Sequence, residues 1–121
     1  TKRIAVSGCS AGALISEWLG FSTKDISAMS VYLQPMGTEY FAIPNIKRGA
    51  PPLMIYHSSS PKDNVHHPKY AKMLKAACDQ KKAPCELFGS RANDIENLPG
   101  GDPKKAMLNF FCKHWKINTS R

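Results

Sequence analysis

Between Arg3 and Ser16 the chain reads RIAVSGCSAGALIS. An apolar, partly β-branched run, Arg3–Ser7, has the composition of a buried strand. A helix-like stretch, Ala11–Leu19, begins only four residues later. A strand that becomes a helix with so little chain between them must turn sharply, and Gly8 and Gly12 remove the side chains that would keep the two apart. The spacing is G-x-S-x-G. At a strand-to-helix turn it holds a serine on the point of a strained bend, with its hydroxyl above the strand ends. Free N–H groups at the helix start favour negative charge there. Ser10 is therefore a candidate nucleophile, and the Ala11 N–H a candidate oxyanion donor.

The rest of the chain repeats the strand-then-helix theme. Ile26–Leu33 reads as a second strand, followed by a loop rich in Pro and Gly from Gln34 to Pro52. Leu53–His57 is a third strand, and the polar turn SSSPKDN follows it. Pro68 opens a helix at its first position, where a missing N–H does no harm. Tyr70, Met73, Leu74, Ala77 and Cys78 then fall at helical spacing. Pro84–Phe88 is a short fourth strand and Gly89–Gly101 an irregular loop. Asp102-Pro103 caps a last helix whose apolar face is Met107, Phe110, Phe111 and His114, widened by Leu108 and Trp115. In the first helix the apolar stripe is Leu14, Ile15, Trp18 and Leu19. This alternation predicts an α/β fold, a parallel sheet covered by helices on both faces. The length fits one domain, residues 1–121.

The charge balance is +8, from 17 basic and nine acidic residues. The basic residues are scattered in pairs such as Lys47-Arg48, Lys81-Lys82 and Lys104-Lys105, with no interleaved aromatics. That pattern predicts a solvated basic surface and no nucleic-acid partner. No apolar run approaches the roughly 18 residues of a membrane span. No charged-then-apolar leader precedes the first strand, and the opening on Thr1 without Met reads as a processed product or a fragment. Cys9, Cys78, Cys85 and Cys112 lack the close spacing of a zinc site, so no metal is expected. Cys78 and Cys112 read as core residues, and a helix-to-strand turn allows Cys78 to meet Cys85. Asn118 begins an N-x-T glycosylation pattern, relevant only to a secreted chain.

Three stretches together resemble the C-terminal half of an α/β-hydrolase, in particular the serine esterases that include polyhydroxybutyrate depolymerases, feruloyl esterases and dienelactone hydrolase-like enzymes. They are RIAVSGCSAGALIS, ISAMSVYLQPMG and PPLMIYHSSSPKDNVHHPKYAKML, and the terminal NFFCKHW resembles the family's last helix. The resemblance implies a partial α/β-hydrolase fold and hydrolysis of carboxylic esters without a cofactor, through an acyl-enzyme on Ser10. It maps the catalytic acid to Asp63. Gln34–Tyr40, with Gln34 and Met36 as the leading residues, is expected to line the acyl or alcohol pocket.

The match breaks at the base. The family carries its histidine in the loop before the last helix, and here that loop, GSRANDIENLPGG, has none. His66 and His67 follow Asp63 on the loop expected to rim the site. His67 is the leading candidate, because one helical turn beyond Asp63 would face its ring back to the carboxylate, and His66 is the alternative. His57, at a strand end, reads as structural, and His114 falls inside the last helix. The family's first strands are absent as well, leaving Arg3–Ser7 as an open edge that invites a second copy or further N-terminal chain. Two readings therefore stand: a serine esterase, or a hydrolase-like binding module that has lost its histidine.

Overall fold

The computed structural model describes residues 3–116, so the expectation at Asn118 lies outside the described residues. Four strands, β1 (Ala5–Cys9), β2 (Ala28–Tyr32), β3 (Leu53–Tyr56) and β4 (Cys85–Phe88), form one parallel sheet in the order β1-β2-β3-β4. Between and after them run α1 (Ala11–Ser22), a one-turn helix α2 (Thr38–Phe41), α3 (Pro68–Gln80) and α4 (Pro103–Trp115). Short 3₁₀ turns occur at Ile43–Asn45 and Arg91–Asn93.

The period-2 alternation of the two central strands separates the faces of the sheet. Met29, Val31, Leu53 and Ile55 point to one side and pack with Ala13 and Phe21 of α1 and Ala71, Leu74 and Cys78 of α3. Ala28 and Met54 point to the other side, against Phe110 and Phe111 of α4. Met29, Leu53, Ile55 and Leu74 are fully buried, each contributing about 1.5–3 kcal/mol of apolar burial. The starts of α1, α3 and α4 are those the sequence predicts, whereas α2 lies within the stretch Gln34–Pro52 expected to be loop. Asp102 accepts from the Lys104 and Lys105 N–H groups, and Pro68 and Pro103 open α3 and α4.

Three apolar expectations change. The buried face of α1 is not Leu14, Ile15, Trp18 and Leu19 but Ala13, Ser16, Glu17, Gly20 and Phe21. Ala13, Ser16 and Gly20 let the helix lie close to the sheet, and Ile15 and Trp18 then face outward. A side chain on Gly20 would collide with the Met29 thioether. Trp18 and Ile15 are accordingly exposed, as is Leu108 of α4. Strand β1 runs two residues later than expected, directly up to Ser10. It is half-exposed rather than buried because β2 is its one sheet neighbour among the described residues. Cys78 is a core residue, Cys85 packs beside the same cluster, and both thiols are free.

Candidate active site

The parallel register lines up the strand ends. Cys9 pairs with Tyr32, Tyr32 with Tyr56, and Tyr56 with Phe88. The next residues, Ser10, Leu33, His57 and Gly89, begin four neighbouring loops at the same end of the sheet. Ser10 has φ 57 and ψ −118, strained for a residue with a side chain. Two backbone bonds pin it there: its N–H donates to the Tyr32 carbonyl at 3.0 Å, and its own carbonyl accepts from Ala13 at 2.9 Å. Gly8 makes the bend possible, since a Cβ there would run into the Gly12 carbonyl of α1 and lie 2.7 Å from Ser16 Oγ. Gly12 is different. A Cβ on it would meet nothing within 4 Å, so its side chain is not what the close packing excludes. The Ala11 N–H, first in α1, has no intrahelical carbonyl to bond.

The loop after β3 brings the other two groups. His66 Nε2 lies 2.7 Å from Ser10 Oγ, and His66 Nδ1 lies 3.0 Å from Asp63 Oδ2. The second carboxylate oxygen accepts the backbone N–H groups of Val65 (3.0 Å) and His66 (2.9 Å). These His66 bonds, backbone first, hold the Asp63 carboxyl below the usual carboxylate range. His66 is the more sheltered of the two, its side chain 20% exposed against 38% for Asp63.

His67 is not turned toward Asp63. Residues 61–67 form turns rather than a helix, so the one-turn spacing behind that expectation does not apply. His67 has extended backbone at the N-cap of α3, and its Nδ1 accepts the Lys69 N–H at 3.0 Å. The loop after β4, where the resemblance implies the base, instead braces the neighbouring loop. Asn93 Nδ2 donates to the Ser59 carbonyl at 2.9 Å. His114 lies within α4 with its ring against Phe110, and burial pushes its imidazole down from the ordinary value.

Gln34 does not line a pocket. It is fully buried, its amide donating to Glu17 Oε1 at 2.7 Å and to Thr38 Oγ1 at 2.9 Å. Glu17 is also fully buried, and burial pushes its carboxyl up to about 8. No signal in the sequence marked Glu17, because a lone Glu in an amphipathic helix ordinarily faces water. Met36 is exposed, and its N–H ties the segment before α2 to the Val65 carbonyl at 2.7 Å. Along the outward side of α1, starting at Ala11, an open groove of about 430 Å³ is lined by Ala11, Leu14, Ile15, Trp18 and Phe41. A basic-rimmed cavity of about 510 Å³, with Lys24, Lys47 and Arg48 on its walls, lies at the opposite end of the strands. Among the described residues no cluster of His, Cys, Asp and Glu is arranged to hold a metal ion, and no helix is long and apolar enough to cross a membrane.

No family model and no curated protein matches the chain. Solved structures do. Thermogutta terrifontis esterase 2, phosphorylated by paraoxon, superposes with a TM-score of 0.68 at 15% identity, over 98% of this chain and 56% of that one. The fold is a partial α/β-hydrolase fold. A carboxylesterase from Lactobacillus plantarum, described as putative, gives 0.68 at 12% identity over 96% of this chain and 58% of its own. An acylaminoacyl peptidase from Pyrococcus horikoshii gives 0.66 at 13% identity over 99% of this chain and 25% of its own. The chain thus spans just over half the length of the two esterases, and a quarter of the peptidase.

Proposed function

We propose that the chain is a serine hydrolase acting on carboxylic esters, with Ser10 as nucleophile, His66 as base and Asp63 as the group that orients the base. The observation that carries this reading is the unbroken hydrogen-bond line from Ser10 Oγ through both ring nitrogens of His66 to Asp63. An alcohol is a weak nucleophile until a neighbouring base takes its proton, and that base must hold its free nitrogen toward the alcohol. Asp63 Oδ2 accepts from Nδ1–H, which leaves Nε2 as the acceptor facing Ser10.

In this mechanism Ser10 Oγ attacks the ester carbonyl as its proton passes to His66 Nε2. The Ala11 N–H and the start of α1 receive the oxyanion. Collapse of the tetrahedral species expels the alcohol, which takes the proton from His66 Nε2. A water then gives its proton to the same nitrogen and attacks the acyl-Ser10 ester. Collapse returns that proton to Ser10 Oγ and releases the carboxylic acid. The groove from Ala11 to Trp18 suits the acyl portion, because its lining starts at Ala11, the residue after Ser10, and its walls are apolar. Esterase names among the structural neighbours support the ester class.

The rival reading, a module without catalysis, drew on the loop 89–101 having no histidine. The contact of His66 with Ser10 supports the enzyme reading over it. A fluorophosphonate probe tests the proposal: the parent protein is expected to label at one serine, and Ser10→Ala to abolish labelling. Equal labelling of the Ser10→Ala protein would sink the assignment of Ser10, and no labelling of the folded parent would return the chain to the rival reading.

A further inference from the structure

His57 is the most enclosed histidine of the chain, with no exposed surface, yet both of its ring nitrogens are engaged. Nδ1 lies 3.0 Å from the Gln34 backbone nitrogen, and Nε2 lies 2.7 Å from the His66 carbonyl oxygen. A backbone N–H only donates and a carbonyl only accepts. Nδ1 must therefore be bare and Nε2 must carry the hydrogen, so the ring is a neutral imidazole in one defined tautomer. Burial acts in the same direction, holding the imidazole below its ordinary value, with His66, Asp63 and His67 as its charged and titratable neighbours.

The ring's two partners lie on different pieces of the fold. Gln34 follows β2, and Leu33 before it is held at φ 57, a left-handed backbone that a bulky side chain rarely adopts. His57 itself directly follows β3, its N–H bonded to the Phe88 carbonyl of β4 at 2.8 Å. Its Nε2–H then reaches the loop and grips His66 by the backbone. Most other bonds that shape this loop are internal, from the Val65 and His66 N–H groups to the Asp63 carboxylate, or act one residue away, as the Met36 N–H does on the Val65 carbonyl. Among the described residues, the hydrogen bonds that tie His66 itself to the sheet are those from His57 to its carbonyl and from Ser10 to its ring.

We infer that His57 is a positioning residue: by fixing the His66 carbonyl to the end of β3, it sets the distance between the His66 ring and Ser10. This rests on the reading of Ser10, His66 and Asp63 given above. It assigns no proton transfer in the reaction to His57.

Two amide variants divide the ring's functions. Gln at position 57 extends far enough to put an N–H donor where Nε2 was, but gives up the Nδ1 acceptor. Asn reaches only the Nδ1 position, so it keeps an acceptor for the Gln34 N–H and loses the tether. His57→Gln is expected to retain kcat within a few-fold of the parent. His57→Asn is expected to lose roughly 100-fold in kcat at little-changed KM, the effect of an ångström-scale misplacement of a reacting group. Activity should follow the tether and not the melting temperature. Equal losses in the two variants, or losses that track melting temperature, would overturn the inference.

Nitrogen-15 NMR of histidine-labelled protein tests the tether without any substrate. The His57 signals should report the Nε2–H tautomer, and the His66 ring signals should shift or broaden in His57→Asn but not in His57→Gln. Unchanged His66 signals in His57→Asn would refute the tether even if Ser10 labels normally. An unlabelled parent with the expected spectra would uphold the tether and refute the catalytic reading instead.

Discussion

Asp63 and His66 are joined twice: one carboxylate oxygen accepts the His66 backbone N–H at 2.9 Å, and the other meets its ring Nδ1 at 3.0 Å. Asp63 and His66 therefore travel together on one short loop. Asp63→Asn separates the two bonds. The amide oxygen must stay toward the Val65 and His66 N–H groups, which puts the NH₂ against Nδ1. Nδ1 then has to accept, and Nε2 carries the hydrogen that should come from Ser10. Ester hydrolysis is expected to fall roughly 10⁴-fold in kcat, by analogy with the same exchange in serine protease triads. Thermal unfolding should move little. A kcat within ten-fold of the parent would remove Asp63 from the mechanism.

The two adjacent histidines should part company under mutation. His66→Ala removes the group 2.7 Å from Ser10 Oγ and is expected to lower kcat by about 10³-fold or more. His67→Ala removes an N-cap acceptor of α3 and should cost about 1 kcal/mol of stability, with activity close to the parent's. Steady-state kinetics together with urea unfolding reads both effects. Loss of activity in His67→Ala alone would restore the histidine that the bare spacing from Asp63 favoured.

Two glycines of one motif should respond in opposite ways. Gly8→Ala drives a methyl group into the Gly12 carbonyl, and backbone has no rotamer with which to yield. Expression as soluble, cooperatively folding protein should be lost or severely reduced. Gly12→Ala meets open space in a helix, and should stabilise by about 0.5–1 kcal/mol in denaturant titrations. Equal behaviour of the two variants would show that the bend is not packed as described.

The buried carboxyl of Glu17 makes stability depend on pH. Desolvation raises it to about 8 in the folded chain, against about 4.3 when unfolded. Between those values the folded state holds a proton that the unfolded state has released. Stability is thus fully present below about pH 4.3 and is lost as pH rises through about 8. For Glu17 alone the loss is on the order of several kcal/mol. Glu17→Gln should flatten this slope, and its advantage in melting temperature should grow from pH 5 to pH 9. A slope that survives the substitution would mean that other groups carry it.

The features written in local chemistry were legible in the sequence. Pro68 and Pro103 mark their helices, the apolar runs mark the strands, and the glycine spacing marks the bend at Ser10. What failed depended on partners distant in sequence. The buried face of α1 is chosen by how near the helix approaches Met29, so small residues and a Glu lie inside while Trp18 lies outside. Gln34 looked like a pocket residue because it follows a strand, yet its amide answers Glu17 and Thr38. The choice between His66 and His67 turns on backbone geometry, since the chain makes turns where a helical spacing would favour His67. The role of His57 needed two long-range partners, neither of which its sequence neighbours announce.

The contact between Ser10 and His66 closes a loop of 56 residues, and both ends depend on strands whose partners must already be aligned. Helices can form locally within microseconds, whereas pairing across such separations comes later in folding. A serine-directed probe added during refolding would therefore register the arrival of the assembled sheet, not of helical structure. In a stopped-flow experiment, the rise of Ser10 reactivity should lag behind far-ultraviolet circular dichroism, making Ser10 a clock for the last stage of folding.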